Sequence, residues 1–344
     1  MNENRNFAPT CMIDWSRIPV WAWPAPRPER CLLDAGMLES RSAEWEQRRA
    51  LKLARRRLGN ANGVMMLWHL CMLVIQISAM LIGFAASELE TAMGYGYLLF
   101  GILSPLLVLI WKKPRYYRTH VFAKRGSPSL GLVLLWVLLL LGIQGASDVV
   151  QRILRPITSL FGDGSAAVEP ETSWQMIVYT AVLAPIGEEI LFRGLLLRTA
   201  QPYGRRLAIF TSAMFFALMH GNQTQGIFAF CFGLLAAYVT LEYSIVWAML
   251  LHFLNNSLLA YGLSALMQSM NTLWQLFTIL AVFYLPMLAS IILLIVKHRN
   301  ISAYLRQERP LKLWKKAYFS APWTIVALVV FGLNVVFCLL VLGI

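Results

Sequence analysis

Three short motifs in the middle of the chain carry the side chains that could do chemistry. They are Gly187-Glu188-Glu189-Ile190-Leu191-Phe192-Arg193-Gly194, Phe216-Ala217-Leu218-Met219-His220 and His252-Phe253-Leu254-Asn255-Asn256. Each lies in or at the end of an apolar stretch, where an ionisable side chain is costly and by default indicates a functional site. Together they supply carboxyl, guanidinium, imidazole and amide groups, a set suited to acid–base chemistry.

Helical spacing separates the two carboxyl groups of the first motif. Glu189 and Arg193 are i,i+4 neighbours on one helical face, so they can form an ion pair. Glu188 lies about 100° around the helix from Glu189 and is left unpaired. An unpaired carboxyl group in a low-dielectric surrounding holds its proton more tightly than in water, as a general acid or base near neutral pH requires. The structural alternative is a buried Glu–Arg pair, with the second Glu bonded to a neighbouring helix.

The two histidines allow the same pair of interpretations. His252 and Asn256 are also i,i+4 neighbours, so they point the same way along a helix. They either serve a site or join helices by hydrogen bonds. His220 either serves a site or is a helix-end histidine bonded to backbone carbonyls.

The combined set favours activation of a water molecule. A carboxylate and a histidine can hold and deprotonate water, while a second histidine and an asparagine can donate hydrogen bonds to a developing oxyanion. The alternative is a metal ion held by one Glu and two His. The HExxH signature is absent, and neither Ser nor Cys stands beside a His in a nucleophile motif.

The rest of the sequence predicts the elements that must position these motifs. The 344 residues are 58% hydrophobic and 14% charged, with a mean hydropathy of +0.60, which excludes an ordinary soluble domain. A helix needs about 20 apolar residues to cross a bilayer. Nine apolar stretches occur: 64–86, 94–111, 130–146, 174–197, 207–220, 226–242, 244–263, 273–296 and 322–343. Seven are close to this length, whereas 207–220 and 226–242 are short and form either two short helices or a helix pair that turns inside the protein. The predicted fold class is all-α, a polytopic transmembrane helical bundle of about 8–9 membrane segments.

The net charge of +13 predicts the topology. Most of the 30 Lys and Arg residues fall in four segments that share one side if all nine stretches cross: 1–63, 112–129, 198–206 and 297–321. The positive-inside rule therefore predicts an integral, multi-pass membrane protein with a cytoplasmic N-terminus. The basic surplus then needs no nucleic-acid partner. Within the first segment, 44–58 is predicted to be a basic helix that either lies on anionic lipid or only fixes orientation.

Nine full crossings create one conflict between the motifs. Glu188 and His252 would lie in the inner half of the membrane, whereas His220 would lie nearer the outer face. Polar groups scattered through lipid would have no compensation. We therefore expect the stretch 207–220 to start within the membrane or to turn back early, so that the three motifs converge.

The motifs resemble those of the CAAX protease and bacteriocin-processing (CPBP, or Abi) family of intramembrane proteases. The likeness rests on Glu188-Glu189-x-x-x-Arg193, Phe216-x-x-x-His220 and His252-x-x-x-Asn256, in that order, and covers about 174–262. It implies an all-helical intramembrane endopeptidase whose catalytic groups line a cavity within the bilayer. The substrates of such a family include prenylated CAAX proteins and peptide precursors.

The resemblance also implies roles for individual residues. It predicts catalytic roles for Glu188, His220, His252 and Asn256, and supporting roles for Glu189 and Arg193. Glu188 with His220 would activate water, and the other two catalytic residues would stabilise the oxyanion. No cofactor is expected. The alternative is Zn²⁺ held by Glu188, His220 and His252, which would leave Asn256 without a role.

The predicted organisation has four parts: a basic cytoplasmic arm (1–63), N-terminal spans (64–173), a CPBP-like catalytic core (174–262) and C-terminal spans (263–344). The expected partners are the bilayer and a protein or peptide substrate, with or without a lipid. Two other functions stay open at this point. One is a non-catalytic membrane protein that provides immunity or binds a partner, and the other is a proton-coupled transporter that uses Glu188 and Glu189.

Overall fold

The structure, a computed structural model, describes residues 41–111, 116–158, 173–306 and 312–342. Within these ranges the chain is helical and no strand occurs, so the predicted all-α fold class is confirmed. The helices are α1 (Arg41–Ala86), α2 (Leu89–Trp111), α3 (Leu130–Thr158), α4 (Trp174–Val178 through Arg198–Ala200), α5 (Arg205–Met219), α6 (Gln223–Glu242), α7 (Ile245–Phe253 through Ser264–Gln268), α8 (Thr272–Ile279 through Leu285–Val296), α9 (His298–Arg306), α10 (Lys312–Phe319) and α11 (Pro322–Phe337, continued by Cys338–Leu342).

All nine predicted stretches are helical, but they are not alike in length and polarity. In the described part of the chain, seven helices are long and apolar enough to cross a membrane: α1, α2, α3, α6, α7, α8 and α11. The helices α4 and α5 fall outside this group. The first carries the charges of the first motif, and the second has 15 residues, about 22 Å against a hydrocarbon core of about 30 Å.

The helices α4 and α5 lie at the centre of the bundle. Every residue from Ile190 to Leu197 is buried, and so are Ala208, Phe215 and Phe216 of α5. The helix α6 packs against α5, while α1, α2 and α7 pack against α4. Exposed large apolar side chains are concentrated on α1, α2, α8 and α11. These outer helices therefore present the apolar surface that suits lipid, and they enclose the two helices that carry the charged and imidazole groups.

Turns of π-helix interrupt the helices that carry the first and third motifs. In α4 they span Tyr179–Leu183 and Ile190–Leu197, on either side of the paired glutamates, and in α7 one spans Leu254–Leu263, directly after His252. A π turn changes the direction in which later side chains leave the helix, and such turns are frequent at functional sites. The i,i+4 geometry expected for His252 and Asn256 is therefore modified by the π turn that lies between them.

Buried arginines cover the C-terminal end of α6. Arg198 donates a hydrogen bond to the carbonyl oxygen of Thr240 at 3.0 Å, and Arg125 donates to the carbonyl of Leu241. The last carbonyls of a helix have no partner within the helix, so arginine side chains stabilise this end. Burial lowers the pKa of Arg125 to about 10, and the nearby Glu242 carboxylate opposes that shift.

The four basic segments predicted to share one side do meet at one end of the bundle, which we call the basic end. Arg205 forms an ion pair with Glu242 at 2.8 Å, and the Tyr304 hydroxyl donates to the same carboxylate at 2.7 Å. Arg55 donates to the carbonyl of Ser320. Contacts of this kind place residues from all four segments beside one another, as the charge pattern predicts.

The first membrane helix continues far beyond the membrane. The helix α1 has 46 residues, about 69 Å at 1.5 Å per residue. Its basic part, predicted over 44–58, is helical and buries Ala50, Ala54 and Leu58, while α1 packs against α10 and α11. This part is therefore built into the protein rather than lying free on lipid. The predicted boundary at 63/64 falls within α1, and residues 1–40 of the predicted arm lie outside the described residues.

Candidate active site

Glu189 and Arg193 form an ion pair at the centre of the bundle. A guanidinium nitrogen of Arg193 lies 3.2 Å from Oε1 of Glu189, and both side chains are fully buried. This pair confirms the prediction from the i,i+4 spacing. Either charge alone would be strongly destabilising in an apolar interior, because the cost of removing it from water would not be offset.

Aromatic rings surround the buried guanidinium of Arg193. Its central carbon lies 4.4 Å from the ring centre of Phe216, 5.9 Å from that of Phe232 and 6.0 Å from that of Phe192. A cation over an aromatic face is attracted to the ring electrons, and the attraction grows when water is excluded. Beside this group, Gly233 lets α6 approach α5 closely, since a Cβ there would lie 2.9 Å from Cα of Ala213.

The two consecutive glutamates approach opposite nitrogens of His252. Oε1 of Glu189 lies 3.0 Å from Nδ1, and Oε2 of Glu188 lies 3.8 Å from Nε2. An ionised carboxylate can only accept a hydrogen bond, so the Nδ1 atom of His252 carries a hydrogen and donates a hydrogen bond to Glu189. The Glu188 side chain is 13% exposed, whereas that of Glu189 is fully buried. Glu188 is therefore the carboxyl group that water or a substrate can reach.

His220 ends α5 and bonds to a carbonyl of its own helix. The backbone N–H of His220 donates to the carbonyl oxygen of Ala217. The Phe216 carbonyl is therefore left for the His220 ring, and its oxygen lies 2.7 Å from Nδ1. A carbonyl only accepts, so Nδ1 of His220 is the protonated nitrogen. In the neutral ring, the Nε2 atom then has a free lone pair and can accept a proton from another group.

A tight turn follows His220. Gly221 has a φ of +76°, in the left-handed region that favours glycine, and a Cβ at this position would lie 2.5 Å from the Asn334 amide of α11. Asn222 then caps α6, because its side-chain oxygen accepts from the backbone N–H of Gln225 at 2.7 Å. The helix α5 thus ends early, as predicted, and its last residue is held inside the bundle rather than at the far face.

Asn256 is hydrogen bonded at both ends of its amide. Nδ2 donates to the carbonyl oxygen of Thr180 at 2.9 Å, and Oδ1 accepts from Asn255 at 2.9 Å. Thr180 belongs to α4, the helix that also contacts His252, so both residues of the third motif face α4. One N–H of Asn256 is still available for another acceptor.

The Phe216 ring connects the three motifs. Its centre lies 4.9 Å from the His220 ring and 5.7 Å from the His252 ring, besides its contact with Arg193. The three motifs therefore pack around this ring, while the approach of His220 to Glu188 and His252 stays a prediction. The chemical roles assigned to the catalytic and supporting residues stay predictions.

Sequence reasoning did not assign a role to two amides that contact the site. Gln144 of α3 donates to Oδ1 of Asn255 at 2.7 Å, and Asn255 in turn contacts Asn256. The signal was present, since Gln144 is an uncharged polar residue within a predicted apolar stretch. That signal is weak, because an isolated amide is common in packed membrane helices.

The arrangement does not suit the predicted zinc alternative. Among the described residues, no three His, Cys, Asp or Glu side chains are grouped so that they could hold a metal ion. A zinc site with three protein ligands would need His220 to join Glu188 and His252. No step proposed below passes through a metal.

Comparison with known families agrees with the motifs. Residues 170–258 match the profile of the family described as Type II CAAX prenyl endopeptidase Rce1-like. The matched segment contains all three motifs and confirms the resemblance drawn from them over 174–262. The match supports a membrane-embedded peptidase of the CAAX type. No curated protein and no solved structure matches the chain.

Proposed function

We propose that this chain, an integral multi-pass membrane protein whose residues 170–258 match that peptidase family, hydrolyses peptide bonds of membrane-associated protein or peptide substrates. The observation that carries the proposal is that two consecutive glutamates differ in burial and in the groups they contact. Glu189 is fully buried and paired with Arg193, while Glu188 is 13% exposed and lies 3.8 Å from His252. A purely structural pair of carboxylates would not need one of them to be accessible.

Glu188 and His220 are proposed to activate the water molecule. The Nε2 atom of neutral His220 has a free lone pair, because Nδ1 donates to the Phe216 carbonyl. The two side chains do not contact each other directly, so a water molecule between them would hydrogen bond to both. As water attacks the peptide carbonyl, one of its protons passes to this pair of groups.

His252 and Asn256 are proposed to stabilise the oxyanion. When the His252 ring carries both protons, Nδ1 donates to Glu189 and the Nε2–H can donate to the oxyanion. The remaining N–H of Asn256 would be the second donor. Donors held in place before the reaction stabilise the developing charge strongly in a water-poor site. The carbon–nitrogen bond then breaks, and the departing amine takes the proton from Glu188 or His220.

The supporting residues would act through His252. Glu189 fixes the orientation and the protonated nitrogen of its ring, and Arg193 is the ion-pair partner of the Glu189 carboxylate. The arrangement parallels a triad in which a buried carboxylate orients a histidine.

The depth of the site suggests where the scissile bond lies. Measured along the helices from the basic end, Glu188 lies 10 residues beyond Arg198, and His252 lies 7 residues beyond Ile245. These spacings correspond to about 15 Å and about 10 Å. Because the positive-inside rule places the basic end in the cytoplasm, we propose that the substrate enters from the cytoplasmic half of the bilayer, with a cytoplasmic N-terminus for the enzyme.

The purified protein in lipid nanodiscs tests the proposal against synthetic prenylated and unprenylated CAAX peptides. We expect cleavage by the wild type and loss of cleavage in Glu188→Ala and His220→Ala. The matched controls are Glu90→Ala and His298→Ala, which remove exposed side chains far from the site. Retained turnover in either site variant, with both controls active, would contradict the mechanism. Comparison of the two peptides decides whether the lipid is required.

A further inference from the structure

A row of amide side chains joins α3 to the third motif. Gln144 donates to Oδ1 of Asn255 at 2.7 Å, Asn255 donates to Oδ1 of Asn256 at 2.9 Å, and Asn256 donates to the Thr180 carbonyl at 2.9 Å. We call this row the amide relay. Only its third member has a role in the proposed reaction, so the first two need an explanation.

Placing the polar side chain of Gln144 in a membrane helix costs free energy. Gln144 lies near the middle of α3, after a long apolar run, and the buried part of an amide there must be hydrogen bonded to offset the loss of water. It also lies outside the segment 170–258 that matches the peptidase family. The helix is held closely, because a Cβ on Gly142 or Gly145 would collide with α8. The close packing of α3 on α8 therefore fixes the position of the Gln144 amide, which donates into the core.

The chemistry of the last acceptor determines the direction of the relay. The Thr180 carbonyl can only accept, so the Asn256 amide must present its nitrogen to α4. The Asn256 oxygen therefore faces Asn255, which must present its own nitrogen, and the Asn255 oxygen is left for Gln144. Each bond requires the orientation of the next, so flipping the Asn255 or the Asn256 amide would break two hydrogen bonds, and flipping Gln144 would break one.

We infer that Gln144 and Asn255 are positioning residues that lock the orientation of the Asn256 amide and so aim its remaining N–H at the oxyanion. The inference rests on the proposed function. Without the relay, only the Thr180 carbonyl would hold the Asn256 amide, and its remaining N–H would be less firmly aimed at the developing negative charge. An oxyanion donor is effective because it is held in place before the reaction, and a small misplacement of such a group lowers the rate.

Steady-state kinetics of Gln144→Leu and Asn255→Leu in nanodiscs test the inference. We expect kcat to fall on the order of tenfold in each variant with an unchanged KM, and the melting temperature should fall no further than in the control below. The matched control is Gln275→Leu, which removes another hydrogen-bonded membrane-helix glutamine whose partners, Met267 and Met270, are remote from the site.

A double-mutant cycle separates positioning from simple helix packing. In an Asn256→Ala background, Gln144→Leu should cause no further loss of kcat, since the relay acts only through Asn256. If Asn256→Ala does not fold, Asn256→Asp is the second background, because it keeps the side-chain size and removes the donor. Equal losses from Gln144→Leu in both backgrounds, or wild-type kcat in Gln144→Leu alone, would overturn the inference.

The same measurements distinguish failure of the inference from failure of the proposed function. Loss of activity in Asn256→Ala with full activity in Gln144→Leu overturns the relay alone. Wild-type kcat in Asn256→Ala overturns the oxyanion role and the relay together. A wild-type protein that cleaves no peptide while remaining folded overturns the proposed peptidase function itself.

Discussion

His220 and His252 belong to one cluster but lie in contrasting surroundings. His252 is buried, with Nδ1 on the carboxylate of Glu189, whereas His220 is half-buried at a helix end, with Nδ1 on a backbone carbonyl. The ring of His252 is thus held by a side chain of another helix, and that of His220 by its own helix. In the proposed mechanism, His252 is a donor to the oxyanion and His220 is a proton acceptor.

The contrast extends to the groups around each histidine. The region of His252, Glu189 and Arg193 is closed and depends on mutual compensation of buried charges. The side chains of Glu188 and His220 are more exposed, and we expect their contacts to contribute little to the stability of the fold. Substitutions in the first region should therefore change stability, and those in the second should change turnover.

Removal of the buried cation should have the largest effect. Arg193→Met leaves the Glu189 carboxylate buried without its partner, so we expect the free energy of unfolding to fall by about 3–5 kcal/mol. Thermal unfolding in detergent measures this loss. Arg152→Met is the matched control, because it breaks another i,i+4 pair that is exposed, with Asp148, and should cost about 0–1 kcal/mol. Equal stability of the two variants would contradict the contrast.

Replacement of His220 should affect turnover instead. His220→Gln keeps a side chain of similar length but removes the proton acceptor, and we expect kcat to fall on the order of 10²-fold with little change in melting temperature. His252→Gln should lower both quantities, because it also removes the partner of Glu189. If His220→Gln lowers stability as much as His252→Gln, the two regions are not distinct.

The turn after His220 should show an intermediate effect. Gly221→Ala combines a left-handed backbone with a contact to Asn334, and we expect a loss of about 1–3 kcal/mol in stability together with lower turnover. The control is Gly332→Ala, where an added Cβ meets nothing within 4 Å. Adding Asn334→Ala to Gly221→Ala should recover part of the loss. A fully wild-type Gly221→Ala variant would show that this turn does not position His220.

Chelation should have the smallest effect on peptide cleavage. With no suitable group of three ligands among the described residues, turnover should stay within about twofold after incubation with 1,10-phenanthroline. A zinc-dependent peptidase assayed in parallel confirms that the chelator is active. Loss of activity that returns on addition of Zn²⁺ would contradict the proposed mechanism and require His220 to move towards Glu188 and His252.

Much of this arrangement could be predicted from the order and spacing of residues. The Glu189–Arg193 pair follows from one turn of helix, and the meeting of the four basic segments follows from their charge. The internal position of α5 was expected only because polar groups in lipid need compensation. The amide relay could not be predicted, since Gln144 and Asn255 are far apart in sequence and nothing in either segment identifies the other.

By itself, the sequence determined the helical membrane class, the sidedness of the charge and the three motifs, because hydropathy, charge and i,i+4 spacing act locally along a chain. The tertiary structure alone decided which nitrogen of each histidine is occupied, which glutamate is accessible and how the Asn256 amide is oriented. These properties depend on contacts between α3, α4, α5 and α7, whose approach is set by packing across the bundle rather than by any one segment.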